Sequence, residues 1–458
     1  MGCADQGRCH RGVGTGPDRV WAPARRVRSG QTARVSNNLG LPTAPATRGP
    51  GPLDGVVVLD FSRVLSGPHC ARALADLGAD VIKIEPPEGD MTRYSYPRVN
   101  SIATYFAQQN IGKRAISLDL KKPEAVALLH KLAERADVVL ENFRPGVMDR
   151  SGLGYAQLSA INPRIVYASI SGFGQTGPWK GRRAYAAVIQ AESGFTRSQI
   201  EAQRRRNPEF PYVTDEHSHG DVYTSLEAAI AICAALFRRS VTGKGQHVDI
   251  SMLDTMLSVN EHIQSDLYDG DVPEGYVRSY QPGDYAVLTV GNGRNVIVTG
   301  HPAENGTFDN YAKAMGRPNL AQEDERFANP PARLAHLAEL YELVQQWAST
   351  FPDPDALEAV FEQYSLAMGT LRTTREVADS EWSHDRGAVM AVSDRGDGEI
   401  LVPNAPWRFS DADAGVRGIP KYRGEDNREV LRDLLELNDE ELAGLEERGV
   451  LLSRVPGK

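Results

Sequence analysis

The sequence predicts an α/β fold: a Rossmann-like parallel sheet in a large domain, followed by a smaller second domain. Three observations carry that reading. Residues 55–87, GVVVLDFSRVLSGPHCARALADLGADVIKIEPP, hold an apolar β-branched run, a turn, a stretch of helical periodicity and a second apolar run, which is the pattern of a strand, a helix and a parallel strand. From Leu53 to about Phe173 strand-like and helix-like segments alternate, as the crossover connections of a parallel sheet require. Around residues 265–300 the texture turns to Gly, Pro and Tyr before helical patterning resumes, which marks a linker and a second unit.

The elements follow in order. VVVLDF is the first strand, HCARALADLGA the first helix and DVIKIE the second strand. RAISLDL (114–120) reads as a strand, and KPEAVALLHKLAERA as a helix with Pro123 in its first turn, where a missing N–H is no loss. DVVLENF, YAQLSAIN and RIVYASISGFG read as strand, helix and strand. Residues 221–239, DVYTSLEAAIAICAALFRR, form the most apolar helix of the chain, capped by Asp221 and stopped by TGKG. QHVDIS returns as a strand and MLDTMLSVNEHIQ as a helix. A hairpin closed at GNGR follows the linker, and residues 307–375 are mainly helical. GAVMAVSD and GEILVP are short strands ahead of a charged terminal helix, NREVLRDLLEL; strand material near both ends places the C-terminal segment back on the first domain. The expected division is an N-terminal extension over 1–52, a large domain over 53–264, a linker and small domain over 265–380, and the returning segment over 381–458.

Composition excludes several classes. In 458 residues no stretch approaches the roughly 18 consecutive apolar residues of a membrane span. The four cysteines, at 3, 9, 70 and 233, have neither disulfide-framework nor zinc-knuckle spacing, so a reducing cytoplasm is the expected location. Residues 1–52 carry 8 Arg, no Lys and 2 Asp, and 15 of the 52 are Gly or Pro; such a segment cannot bury a core and is expected to be disordered. Without it the chain holds 43 basic and 58 acidic residues, a balance that argues against nucleic acid as a partner.

Three chemistries compete for the motifs. A nicotinamide dehydrogenase would use Glu85, at the end of the second strand, for a ribose, but the turn RVLSGPHC has one glycine where the dinucleotide fingerprint needs three, and Glu85 reads instead as a solvated strand-end charge. A zinc hydrolase would use His217, His219 and Asp221 of DEHSHGDV, which have H-x-H-x-D spacing; His247 and His262 are further candidate ligands. The third reading makes Asp221 a covalent nucleophile, against the plain alternative that an Asp before a long helix is only its cap.

Five ordered blocks decide among these: LDFSRVLSGPHCARALADLGADVIKIEPPEGDMTR, NIGKRAISLDLKKPE, DVVLENFRPGVMDRSGLGY, NPRIVYASISGFGQTGPW and DVYTSLEAAIAICAALFRRSVTGKGQHVDISMLD. Together they closely resemble the family III CoA-transferases, which include formyl-CoA transferase, carnitine CoA-transferase and the related α-methylacyl-CoA racemases. The resemblance is dense over 53–260 and thinner at HDRGAVMAV, PNAPWRFS and YRGEDNREVLRDLL. It implies that the turn after the first strand holds coenzyme A, through Val64, Leu65 and Ser66. By position it adds Lys121, Asn142, Phe143, Arg150, Arg183 and Tyr185 as contacts. Arg and Lys suit phosphates and Phe suits adenine. It further implies that Asp221 attacks an acyl-CoA thioester, that a carboxylic acid accepts the coenzyme, that coenzyme A is substrate and no cofactor is tightly bound, and that two subunits form an interlocked homodimer. Racemisation is disfavoured, since Tyr185 stands where the racemases use a His, and Ala186 where an acidic residue is usual; a phenol is a poor base at neutral pH. A glycine-rich lid has only QPGDY or GNGR as candidates, and the segments NSIATYFAQQNIGKR and 265–300 are expected to line the acyl pocket.

Overall fold

The computed structural model describes residues 39–206, 208–214, 216–261, 263–267 and 286–455. Six strands form the central sheet: β1 (Val57–Asp60), β2 (Asp80–Glu85), β3 (Arg114–Ser117), β4 (Val138–Glu141), β5 (Val166–Ser171) and β6 (Gln246–Ser251). All pair in parallel, in the order β3-β2-β1-β4-β5-β6. The chain runs outward from β1 on one side and resumes at β4 on the other, so the carboxyl ends of β1 and β4 flank the crevice where parallel sheets bind ligands.

Side chains alternate between two cores. Leu59, Ile82, Ile116 and Val139 face one, and Val58, Val81, Val138 and Val166 the other. Burial on both faces accounts for the nearly continuous apolar runs in the sequence. The framing helices are α1 (Ser66–Asp76), α2 (Pro123–Arg135), α3 (Ala186–Glu192), α4 (His219–Thr242), α5 (Met252–Ser258), α6 (Asn427–Leu435) and α7 (Asp439–Glu447). Pro123 is at the first turn of α2, and Gly243 ends α4 with a left-handed φ of 70°. The helix expected from MLDTMLSVNEHIQ stops at Ser258 and resumes as Ile263–Leu267; residue 262 lies outside the described residues.

By length and composition alone α4 could cross a membrane, but one of its faces packs in the second core. Small residues there, Thr224, Ala228 and Ala235, are buried, which lets α4 approach α1 closely. On the opposite face Leu226, Ile230, Phe237 and Val241 are exposed, all within about 60° of one another on the helical wheel.

A second, antiparallel sheet joins β7 (Ala286–Thr289), β8 (Asn295–Val298) and β9 (Met368–Thr370) in the order β9-β8-β7. Its own core includes Phe308, Tyr311, Phe327, Leu340 and Phe361 from the covering helices. The expected GNGR turn closes the β7–β8 hairpin, whereas QPGDY lies outside the described residues. A two-strand ribbon, β10 (Val389–Ser393) with β11 (Glu399–Pro403), follows.

The C-terminal segment returns to the large sheet. Val430 and Leu431 of α6 and Leu442 and Leu445 of α7 share the first core with Ile82 and Ile116. Along the edge strand β3, Ala115 N–H donates to Asp426 Oδ2 (2.8 Å) and Ser117 N–H to Asn427 Oδ1 (2.9 Å). These contacts cover an edge that would otherwise present unpaired backbone groups.

The expectation for residues 1–52 needs correction over its last part. Leu41 is buried, Ala44 N–H donates to Ala391 O at 2.8 Å, and Arg48 bridges Asp413 (2.8 Å) and Val416 O (2.9 Å). Residues 39–52 therefore pack on the C-terminal ribbon. Their Gly and Pro content hid this because extended chain anchored by a few backbone bonds leaves no periodic signal. Residues 1–38 lie outside the described residues. A chain starting at residue 53 should melt a few degrees below one starting at residue 39, and Arg48→Ala should cost about 1 kcal/mol in urea unfolding. Equal melting temperatures would show that these contacts carry no stability.

Candidate active site

The turn after β1 is built on buried charge. Lys83, from β2, donates to Ser62 O (2.8 Å) and faces Asp90 at 3.3 Å. Lys113 donates to Asp60 Oδ2, Pro68 O and Asn110 Oδ1, each at 2.9 Å. Burial opposes ionisation of Asp60 and Asp90, yet Lys113 and Lys83 hold the Asp60 carboxyl below its ordinary range, and Lys83 with hydrogen bonds from Thr92 and Val64 does the same for Asp90. Burial pushes Lys113 down to about 8 against the pull of Asp60. Asp90 in turn accepts the Val64 N–H at 3.2 Å. Val64 has a φ of 70°, a conformation that β-branched residues rarely adopt, and the turn it makes leads directly into Ser66, the first residue of α1. Gly67 is required here: a Cβ would lie 2.1 Å from that of Ser62. The single glycine of this turn thus serves the close fold-back of the chain.

Across the crevice, Asn142 follows β4. Its Oδ1 accepts the Arg63 N–H (2.9 Å) and its Nδ2 donates to Arg63 O (2.8 Å) and Ser66 Oγ (3.2 Å), tying the two turns together. A cavity of about 600 Å³ opens beside them, with Arg63, Phe143, Arg144, Arg150 and Lys180 in its wall. Four cations and one aromatic ring suit a phosphorylated, ring-bearing ligand.

Asp221 lies at the start of α4, but it is not the cap. Ser218 occupies that position and Asp221 is in the first turn. Burial raises the pKa of its carboxylate, and the nearby Ser66 hydroxyl and backbone N–H pull it back down. On the helical wheel Asp221 shares the face of Thr224 and Ala228, toward α1, so the acid meets the positive N-terminal end of α1. Tyr105 stands near it: burial raises the phenol's pKa, and the Asp221 charge adds to the effect.

The structure brings together Val64, Leu65, Ser66, Asn142, Phe143, Arg150 and Asp221 of the expected site. It separates three others. Lys121 is exposed beyond β3, two strands from the crevice, and is not in the cavity wall. Arg183 is exposed and also outside that wall. Tyr185 is 70% exposed and precedes α3, whose Ala186 backbone abuts Gly220 beside Asp221. Arg63, Arg144 and Lys180 escaped the sequence reading, although Arg63 and Arg144 sit in the family blocks as SRV and FRPG and Lys180 directly follows one as PWKG; a cation in a turn after a strand was the only available signal.

Two rival readings fail on geometry. Glu85 is not a solvated charge: it is buried, paired with Arg93 Nε at 2.7 Å and bonded to the Asp90 N–H. His219 and Asp221 are both helical, so their side chains diverge by about 200° and cannot share an ion; His219 stacks on Tyr223 at 5.5 Å. Among the described residues no group of three His, Cys, Asp or Glu side chains could hold a metal; His262 lies outside them.

A doubly wound parallel sheet with a cationic cavity and a half-buried acid at its switch point defines a coenzyme-handling enzyme. The chain belongs to CoA-transferase family III, whose model matches residues 53–427, and it is a CoA-transferase acting on CoA thioesters. It is 32% identical to succinyl-CoA–D-citramalate CoA-transferase of Chloroflexus aurantiacus over 88% of this chain and 99% of that one. It is 35% identical to formyl-CoA:oxalate CoA-transferase of Streptomyces coelicolor over 87% and 99%. The crystal structure of a CAIB/BAIF family protein from Brucella suis superposes with a TM-score of 0.71 at 34% identity, covering 84% of this chain and all of that one.

Asp90→Ala should destabilise the protein by about 3–5 kcal/mol in urea unfolding, because it strands the Lys83 ammonium; a loss below 1 kcal/mol would remove Asp90 from the support of this turn. Ser66→Ala removes a donor that lowers the Asp221 pKa, so the acid limb of the pH–rate profile should move to higher pH. A shift to lower pH, or none, would contradict the Ser66–Asp221 contact.

Proposed function

We propose that the protein transfers coenzyme A from an acyl-CoA thioester to a carboxylic acid through covalent intermediates on Asp221. The supporting observation is the Asp221 carboxylate itself: it does no capping, is partly desolvated, and is held by Ser66 at the N-terminus of α1. Partial desolvation makes a carboxylate a better nucleophile, and the helix terminus favours negative charge developing beside it.

In the proposed cycle an Asp221 oxygen attacks the thioester carbonyl, the C–S bond breaks, and coenzyme A thiolate leaves an acyl-aspartyl anhydride. The thiolate attacks the Asp221 carbonyl carbon of that anhydride, releasing the donor acid as carboxylate and forming an aspartyl-CoA thioester. The acceptor carboxylate attacks this thioester, giving a second anhydride and thiolate. Attack of thiolate on the acceptor's carbonyl yields the new acyl-CoA and regenerates Asp221. Each step exchanges one activated acyl bond for another, so the cycle consumes no ATP. Arg63, Arg144, Arg150 and Lys180 are assigned to the coenzyme's phosphates and Phe143 to its adenine. Tyr185, exposed and followed by Ala186, offers no base for a racemase.

The acceptor class follows the named relatives: citramalate and oxalate are both dicarboxylic acids, and we assign a small dicarboxylate to this chain. The exposed stripe Leu226, Ile230, Phe237 and Val241 on α4 supports a homodimer, with the second sheet belonging to a smaller domain over 265–380.

Asp221→Asn should lower turnover by several orders of magnitude while coenzyme A still binds in calorimetry. Its stability should stay within about 1 kcal/mol of wild type or rise, since a neutral amide avoids the cost of a buried charge. Wild-type protein incubated with acyl-CoA and then hydroxylamine should carry the label on Asp221. Label on another carboxylate, or near-normal transfer by the Asn variant, would end the proposal. A mass-spectrometric screen of acyl-CoA donors against oxalate, D-citramalate and monocarboxylic acids tests the acceptor class, and light scattering the dimer. Lys180→Ala should weaken coenzyme A binding and flatten its salt dependence.

A further inference from the structure

A second cavity of about 360 Å³ lies next to the basic one and shares Arg144, Pro145 and Lys180 with it. A line of hydrogen bonds crosses three neighbouring strands in its wall. Glu141, at the end of β4, is 4% exposed. Its Oε2 accepts the Phe143 N–H at 2.8 Å, and the Ser169 hydroxyl on β5 stands close enough to favour its ionised form. Ser169 Oγ lies 3.0 Å from His247 Nε2 on β6, and the imidazole stacks on Tyr155 at 5.1 Å. Gln175 Nε2, a buried donor in the same wall, has no protein partner. No step of the transfer cycle uses this chain of groups, yet it ends on the backbone of Phe143, whose ring lines the coenzyme cavity.

We propose that coenzyme A binding is proton-linked in this protein: Glu141 is a positioning residue whose proton occupancy rises, by uptake from solvent, as the anionic coenzyme enters. The inference rests on the coenzyme site assigned above. With Glu141 ionised, Ser169 donates to it and accepts from His247 Nε2–H. With Glu141 protonated, its O–H donates to Ser169 and Ser169 donates to His247 Nε2. The chain therefore has two complete hydrogen-bonded states, and in both a Glu141 oxygen can keep the Phe143 N–H.

The charges around it set the direction. Burial pushes the Glu141 carboxyl up to about 7, against the Ser169 and Phe143 hydrogen bonds, and the carboxylates of Asp149 and Asp249 push it the same way. Tyr167 contributes a neutral phenol that burial keeps protonated. Burial lowers the His247 pKa, with Asp249 and Asp149 opposing, so the imidazole is the neutral end of the chain. Arg144 and Lys180 line both cavities, and a cation near a carboxyl favours its ionised form. An anionic ligand beside them offsets those cations and adds like charge, which raises the carboxyl further. Linkage then requires proton uptake on binding, and affinity that falls as pH rises through this group's titration.

The test uses the full chain and dephospho-coenzyme A, which lacks the 3′-phosphate whose own ionisation near about 6 would obscure the result. Calorimetry at pH 7.5 in two buffers of different ionisation enthalpy should show uptake of a fraction of a proton. The association constant should fall about three- to tenfold between pH 6 and 8.5. Glu141→Gln should bind with both effects abolished. Binding by the wild type without proton uptake overturns the inference and leaves the coenzyme site standing, and this comparison needs no variant. Uptake that persists in Glu141→Gln and is lost in His247→Phe would move the proton to the imidazole and equally overturn it. No binding at any pH would sink both the inference and the site.

Discussion

Four buried charges beneath one turn hold the working part of this protein. Asp60 and Asp90 face Lys83 and Lys113 with almost no solvent access, a set whose formal charges cancel. Removing any one leaves an uncompensated buried ion, which costs far more than the pairs contribute. The set is placed to act on backbone: Lys83 grips Ser62 O, Lys113 grips Pro68 O, and Asp90 takes the Val64 N–H. Those contacts hold Val64 at its positive φ. From that turn Ser66 reaches toward Asp221 and Asn142 reaches back from the opposite strand, so the surroundings of Asp221 and the cationic crevice depend on the same support.

Helix geometry explains how one residue can look like a cap and act otherwise. In the first turn of α4, Asp221 still benefits from the helix terminus, but its side chain points to α1 instead of to its own backbone. The same 3.6-residue period sends His219 to the other side, where it joins Phe195 and Tyr223. Small residues at 228 and 235 bring α1 and α4 together, and that approach puts the two helix N-termini at one point.

The C-terminal segment completes the large sheet from the outside. By covering β3 and filling the first core with α6 and α7, it makes the fold of the large parallel sheet depend on residues more than 300 positions away along the chain, as the Ala115–Asp426 bond shows. The second sheet, with its separate aromatic core, stands between these two contributions in sequence.

The sequence by itself determined the local elements. Apolar runs marked the six strands, Pro123 the start of α2, Gly243 the end of α4, and the five family blocks the CoA-transferase family itself. These are legible because periodicity, proline and glycine act within a few residues. The tertiary structure alone decided which cations reach the cavity, choosing Arg63, Arg144 and Lys180 over Lys121 and Arg183. It also decided that Asp221 serves Ser66 and not its own helix, that Glu85 is a buried ion-pair partner, and that residues 39–52 are anchored. The physical reason is the order of the sheet: Arg63 and Asn142 are 79 residues apart and meet only because β4 lies beside β1, and no local pattern records which strand ends become neighbours.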